Sequence, residues 1–125
     1  MAKHVLIIDD EELVTKSLLK LLNSNGYQAT VAKSGEAALE IIKKAVFDLI
    51  VCDVRMPGLD GIETIKQIRA YLEKSDKKPI PEVLITGYAD AEKYEMGRNL
   101  EVADYLYKPF DNAEFLRVVK KSLAG

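Results

Sequence analysis

Cysteine and histidine are almost missing from this chain: Cys52 and His4 each stand alone. One cysteine excludes an internal disulfide and a cysteine-based zinc cluster, and one histidine makes no metal site. An excess of basic charge is also lacking. With 18 Lys and Arg against 20 Asp and Glu the net charge is −2, so the cationic surface of a nucleic-acid-binding protein is not there. No apolar run approaches the ~18 residues of a membrane span. The opening run Val5-Leu6-Ile7-Ile8 is too short for the core of a signal segment and ends in acids. The expectation is a cytoplasmic protein with no direct contact with nucleic acid or membrane. Repeats, low-complexity tracts and an interdomain linker are absent as well.

What is present is one domain's worth of chain: 125 residues, 48% apolar and 30% charged with both signs interspersed. Short apolar runs alternate with longer segments of helical period, the pattern of repeated βα units around a parallel sheet. Five units fit. Strands are predicted at 5–8, 28–32, 48–53, 82–86 and 104–107. Helices are predicted at 12–24, from a Ser34 cap through Ile42, and at 61–72, 90–99 and 112–123. The third strand is nearly all apolar inside and so belongs at the centre of the sheet. The segment 74–81, charged and proline-containing, reads as a loop.

The run Leu49-Ile50-Val51-Cys52 ends in a carboxylate, Asp53, with Arg55 two residues on as the nearest cation in sequence. A lone buried charge is costly, so Asp53 must be neutralised or must sit where the run reaches water. Other strand ends carry Asp9 and Asp10, Thr86 and Lys108. In open α/β sheets ligands bind beyond the carboxyl ends of the strands, at the point where the winding reverses, and these five residues converge there. Three packed carboxylates repel one another unless a hard divalent cation such as Mg²⁺ lies between them. Lys108, the Thr86 hydroxyl and nearby backbone N–H groups suit phosphoryl oxygens. No Ser, His or Cys arrangement offers a nucleophile, which leaves Asp53 as the best candidate to attack phosphorus.

Each residue also has a plain reading. Asp9 and Asp10 can cap the first helix, Lys108 can be a solvated loop lysine, and Thr86 and Tyr105 can be ordinary strand residues. Cys52 points to the face opposite Asp53 and reads as a buried, inert thiol. His4 reads as the residue that begins a strand, and Lys77-Lys78 as a solvated loop.

Taken together, Ile7-Ile8-Asp9-Asp10-Glu11, Cys52-Asp53-Val54-Arg55-Met56-Pro57-Gly58-Leu59-Asp60-Gly61, Leu84-Ile85-Thr86-Gly87-Tyr88 and Asp104-Tyr105-Leu106-Tyr107-Lys108-Pro109-Phe110 resemble the receiver domain of two-component response regulators. The resemblance implies a doubly wound (βα)5, flavodoxin-like fold of strand order 2-1-3-4-5, with the domain at 4–123. It makes Asp53 the phosphoacceptor for a histidine kinase or histidine phosphotransfer protein. Asp10 and Asp53 become direct ligands of Mg²⁺, or alternatively Mn²⁺, with Asp9 binding through water and Arg55 through its backbone carbonyl. Thr86 and Lys108 would bind the phosphoryl group. The resemblance implies a switch that catalyses its own phosphotransfer and slow dephosphorylation, not an enzyme acting on other substrates. It further implies a cis Lys108-Pro109 bond and a switch in which Thr86 moves inward and Tyr105 turns. The partner surface would be formed by the fourth helix, the fifth strand and the fifth helix, and it admits a phosphorylation-dependent dimer.

Arg55 and Tyr88 occupy positions associated in that family with the lifetime of the phosphoryl group. The bulky pair leads us to expect an at least moderately long-lived phosphate. The segment 95–103 lacks the Gly-Ala pair that often precedes the fifth strand, which leaves the register of the fourth helix open. A haloacid-dehalogenase-type phosphatase would want an acid where Arg55 stands, and a flavin-binding flavodoxin a Ser/Thr/Gly-rich loop after strand one. A pseudo-receiver would be expected to have lost an acid or the lysine.

Overall fold

The computed structural model describes residues 2–87 and 100–124. The chain forms β1 (His4–Ile8), α1 (Glu12–Ser24), β2 (Gln28–Ala32), α2 (Gly35–Ile42), β3 (Leu49–Asp53), α3 (Gly61–Lys74), β4 (Glu82–Thr86), β5 (Asp104–Tyr107) and α4 (Asn112–Ala124). The helix predicted at 90–99 lies outside the described residues. All strand pairs are parallel, in the order β2-β1-β3-β4-β5. This is the sheet that the sequence predicts, with β3 at its centre.

Strand parity sorts the core into two layers, because successive side chains leave a strand on opposite faces. Val5 and Ile7, Leu49 and Val51, and Val83 and Ile85 pack with α1 and α4. Leu6 and Ile8, Ile50 and Cys52, and Leu84 pack with α2 and α3. Every residue of β3 and β4 is buried, whereas β2 and β5 at the edges are only partly so. Among the described residues no helix is long and apolar enough to cross a membrane.

The Ser34 cap acts as read, and the structure adds a cap at Asp60 that the sequence reading does not include. Ser34 Oγ accepts from the Ala37 N–H and starts α2, and the Asp60 carboxylate does the same for α3 through the Glu63 N–H. Gly26, with φ of +85°, ends α1 in a conformation that other residues rarely adopt. One boundary moves. Asp48 was expected to open the third strand, yet its carboxylate is taken by the His4 N–H at 2.8 Å and pairing begins at Leu49. Helix α3 runs on to Lys74, two residues past the predicted end.

Candidate phosphoryl and metal site

The winding reverses between β1 and β3, since β2 lies on one side of β1 and β3 on the other. Ile8 pairs with Cys52, so Asp9 and Asp53 follow as the next positions on adjacent strands. Carboxylate oxygens of Asp9, Asp10 and Asp53 all lie within 4.8 Å of one another. Asp9 and Asp53 are buried, Asp10 exposed. The plain reading of the Asp9-Asp10 pair fails here: Glu11 is the N-cap of α1, and no side chain caps that helix.

Each carboxylate is held from a different direction. Asp9 Oδ1 accepts the Glu11 N–H at 3.0 Å, while its buried Oδ2 has no hydrogen-bond partner among the described residues. Asp53 Oδ1 accepts the Arg55 N–H at 3.2 Å, and its Oδ2 faces Lys108 Nζ at 3.2 Å. The cation that neutralises Asp53 is therefore Lys108, from the far end of the chain. Arg55, the nearest cation in sequence, contributes its backbone amide while its residue stays exposed. Lys108 Nζ also lies 3.6 Å from Glu11 Oε1.

The electrostatics follow from burial and crowding. Burial chiefly, then the charge of Asp53, raises the Asp9 carboxyl to about 6 against the opposing effect of the Glu11 amide and Lys108. Burial also raises Asp53, although the Arg55 N–H and Lys108 pull the other way. Burial pulls the Lys108 amine down, but the charge and hydrogen bond of Asp53, with Asp9 and Glu11 behind, outweigh it and leave the amine raised. An oxygen-only donor set with a buried acceptor still unpartnered is what a hard divalent cation fits. A cation there would offset the repulsion from Asp53 that adds to the effect of burial on Asp9.

Thr86 ends β4 on the same edge, buried, with its hydroxyl 3.4 Å from the Gly87 carbonyl oxygen. The Lys108 N–H continues the ladder to the Thr86 carbonyl at 2.8 Å, which holds the two residues side by side at the ends of β4 and β5. Lys108-Pro109 is cis, as the resemblance implies. Tyr105 is half-buried against the α2/α3 layer, and its ring stacks on that of Tyr107 at 6.4 Å. Cys52 is fully buried in the same layer, its thiol pushed far up by burial, in keeping with an inert group. Tyr88 falls outside the described residues.

Gly61 ties the site to α3. Its N–H donates to the Val54 carbonyl at 2.9 Å, and a Cβ at this position would collide with the Asp53 carbonyl oxygen. Sequence reasoning missed two partners. One is Glu11 beside Lys108. The other is an ion pair beneath the sheet edge, in which Arg69 of α3 meets buried Glu82 through Nε at 2.8 Å and Nη2 at 2.7 Å and donates Nη1 to the Leu100 carbonyl at 2.7 Å. The signal for it was present: Glu82 is an acid in an otherwise apolar strand, the same anomaly that singles out Asp53.

Comparison with known proteins agrees with this geometry. Residues 5–120 match the family described as response regulator receiver domain. The chain is 37% identical over 120 residues to the transcriptional regulatory protein ZraR of Escherichia coli, covering 96% of this chain and 26% of that protein. It is 32% identical over 123 residues to sporulation initiation phosphotransferase F of Bacillus subtilis, covering 98% and 95%. The crystallised chemotaxis protein CheY4 of Vibrio cholerae superposes with a TM-score of 0.87 at 30% identity, covering 98% of this chain and all of that one. The chain thus spans about a quarter of the length of the first of these relatives. Asp9, Asp10 and Asp53 match the Mg²⁺-binding cluster of such domains. Likeness in sequence, in backbone and in the metal-binding acids leads to one family, and the chain belongs to the receiver domains of two-component response regulators.

Proposed function

We propose that residues 4–123 act as a phosphorylatable switch in which Asp53 accepts a phosphoryl group from a histidine kinase or phosphotransfer protein. The observation that carries this reading is the reach of Lys108 across 55 residues of chain to Asp53 Oδ2, beside two further acids. A carboxylate oxygen of Asp53 forms the new P–O bond as the P–N bond of a phosphohistidine breaks, and the electron pair returns to the imidazole. Asp10 and Asp53 would hold the metal directly, Asp9 through water and Arg55 through its carbonyl. Mg²⁺, when bound, screens the phosphoryl oxygens from the acids.

Lys108 then exchanges its carboxylate partner for a phosphoryl oxygen, and the Thr86 hydroxyl donates to another. Phosphorylation places a larger, more highly charged group at the strand end, which draws Thr86 inward and favours an inward Tyr105. The equilibrium shifts between two conformations of one fold. Its readout is the surface around β5 and α4, where Tyr107 is already 38% exposed, together with the segment between β4 and β5. That surface would engage an output domain or partner, and a second receiver on phosphorylation. The same reading, by family likeness, puts the domain in the cytoplasm with its kinase.

Incubation with Mg²⁺ and acetyl phosphate tests it. Intact-mass spectrometry is expected to show an adduct of about 80 Da, the mass of one phosphoryl group, abolished by Asp53→Asn. Turnover of diverse phosphate esters with no adduct would instead point to a phosphatase.

A further inference from the structure

The opposite end of the sheet carries a second feature. The α2–β3 and α3–β4 connections and the end of α4 surround a cavity of about 600 Å³. That volume lies within the roughly 300–1,000 Å³ of sites that take small organic molecules. Its walls include Ile42, Phe47, Leu72, Ile80 and Leu123.

Its charge is one-sided. Lys3, Lys77 and Lys78 line it against a single acid, Asp48, whose carboxylate already accepts the His4 N–H. Lys77 lies 3.1 Å from the Tyr71 hydroxyl and over that ring at 5.1 Å, whereas Lys3 and Lys78 have no ion-pair partner among the described residues. Ser122, also in the lining, is 9% exposed and its hydroxyl has no hydrogen-bond partner among the described residues. A helical serine ordinarily relieves this by bonding the carbonyl one turn back, and Ser122 does not.

We propose that this cavity is a second ligand site, for a small amphiphilic carboxylate whose apolar body lies along Phe47, Ile80 and Leu123 and whose anion meets the lysine rim. A cation would be repelled by three lysines. A bare inorganic anion would gain nothing from the apolar walls, and an inserted peptide would bring backbone groups that these walls cannot partner. The site precedes the strands that end in the acids, so its occupant would not touch Asp53.

Octanoate, far below its micelle concentration, is the probe, with octan-1-ol as the uncharged control and the full chain labelled with ¹⁵N. Saturable one-to-one binding of octanoate is expected, with shifts centred on Phe47, Ile80 and Ser122 and none at Asp10 or Thr86. The exposed pair Lys3→Glu and Lys78→Glu is expected to weaken binding by about tenfold or more, the scale of one lost charge-assisted contact, with acetyl phosphate labelling of Asp53 unchanged. Ala45→Trp, which fills the cavity, is expected to weaken it as well. Octanol binding as tightly as octanoate, non-saturating or scattered shifts, or full affinity in the double Glu variant would each overturn the site.

Discussion

Lys108 Nζ stands 3.2 Å from Asp53 Oδ2, on a carboxylate that a metal ion would also draw on. The two cations are rivals for one carboxylate. Lys108→Ala is therefore expected to tighten Mg²⁺ binding a few-fold, since a competitor is gone, yet to slow Asp53 phosphorylation by roughly a hundredfold through loss of a transition-state donor. Titration calorimetry and mass-resolved labelling read the two effects separately, and a parallel loss of both would contradict the rivalry.

Asp9 makes the metal-free fold sensitive to pH. Its folded value of about 6 exceeds the ordinary 3.8 because of burial first and Asp53 second. Between those values the unfolded chain has released the proton and the folded one keeps it, so stability falls as pH rises through that window. In chelator, the urea midpoint at pH 5 is expected to exceed that at pH 7.5. Asp9→Asn should flatten this dependence, add on the order of 2 kcal/mol at pH 7.5 and abolish stabilisation by added Mg²⁺.

Arg69 and Glu82 provide a test away from the acids. Arg69→Ala leaves a buried carboxylate uncompensated and the Leu100 carbonyl unpartnered, and is expected to cost about 3–5 kcal/mol in urea denaturation. Replacing both residues with Met should cost less than that single change. Breaking one partner is worse than removing the pair.

Gly61→Ala puts a methyl group against the Asp53 carbonyl oxygen, and the backbone at Asp53 must give way. A loss of about 1–3 kcal/mol is expected, as for other overpacked positions, accompanied by slower acetyl phosphate labelling. Gly26→Ala, at a turn remote from the acids, should destabilise without touching labelling.

Arg55→Ala keeps the amide that holds Asp53 and removes the side chain of an exposed residue. If that side chain hinders attacking water, the phosphoryl group should be lost several-fold faster, followed by mass spectrometry after the donor is removed. An unchanged decay would leave Arg55 no part in the lifetime.

Most of the architecture was legible because short apolar runs, helical periodicity and a helix cap are local signals: β3 reads as central from its nearly all-apolar run, and Ser34 marks its helix. The acids were legible as anomalies, charges where propensity asks for none. Their pairing was not. Sequence adjacency suggested Arg55 for Asp53, whereas the partner arrives from Lys108 through register across β3, β4 and β5. Glu82 shows the same limit: the anomaly was visible, but its Arg69 partner depends on how α3 lies on the sheet. The plain reading of Asp9 and Asp10 as helix caps could be discarded only once Glu11 was seen in that place.

Strand parity has a further consequence for how this chain can change. Leu49, Val51 and Asp53 share one face of β3, Ile50 and Cys52 the other. Substitutions along β3 trade one side chain for another, but a one-residue insertion before Cys52 would slide the strand by half its repeat and present a thiol where the carboxylate stands. Which side chain joins the acids is stored as an even or odd count along five residues, so evolution can edit the letters of this strand far more freely than its length.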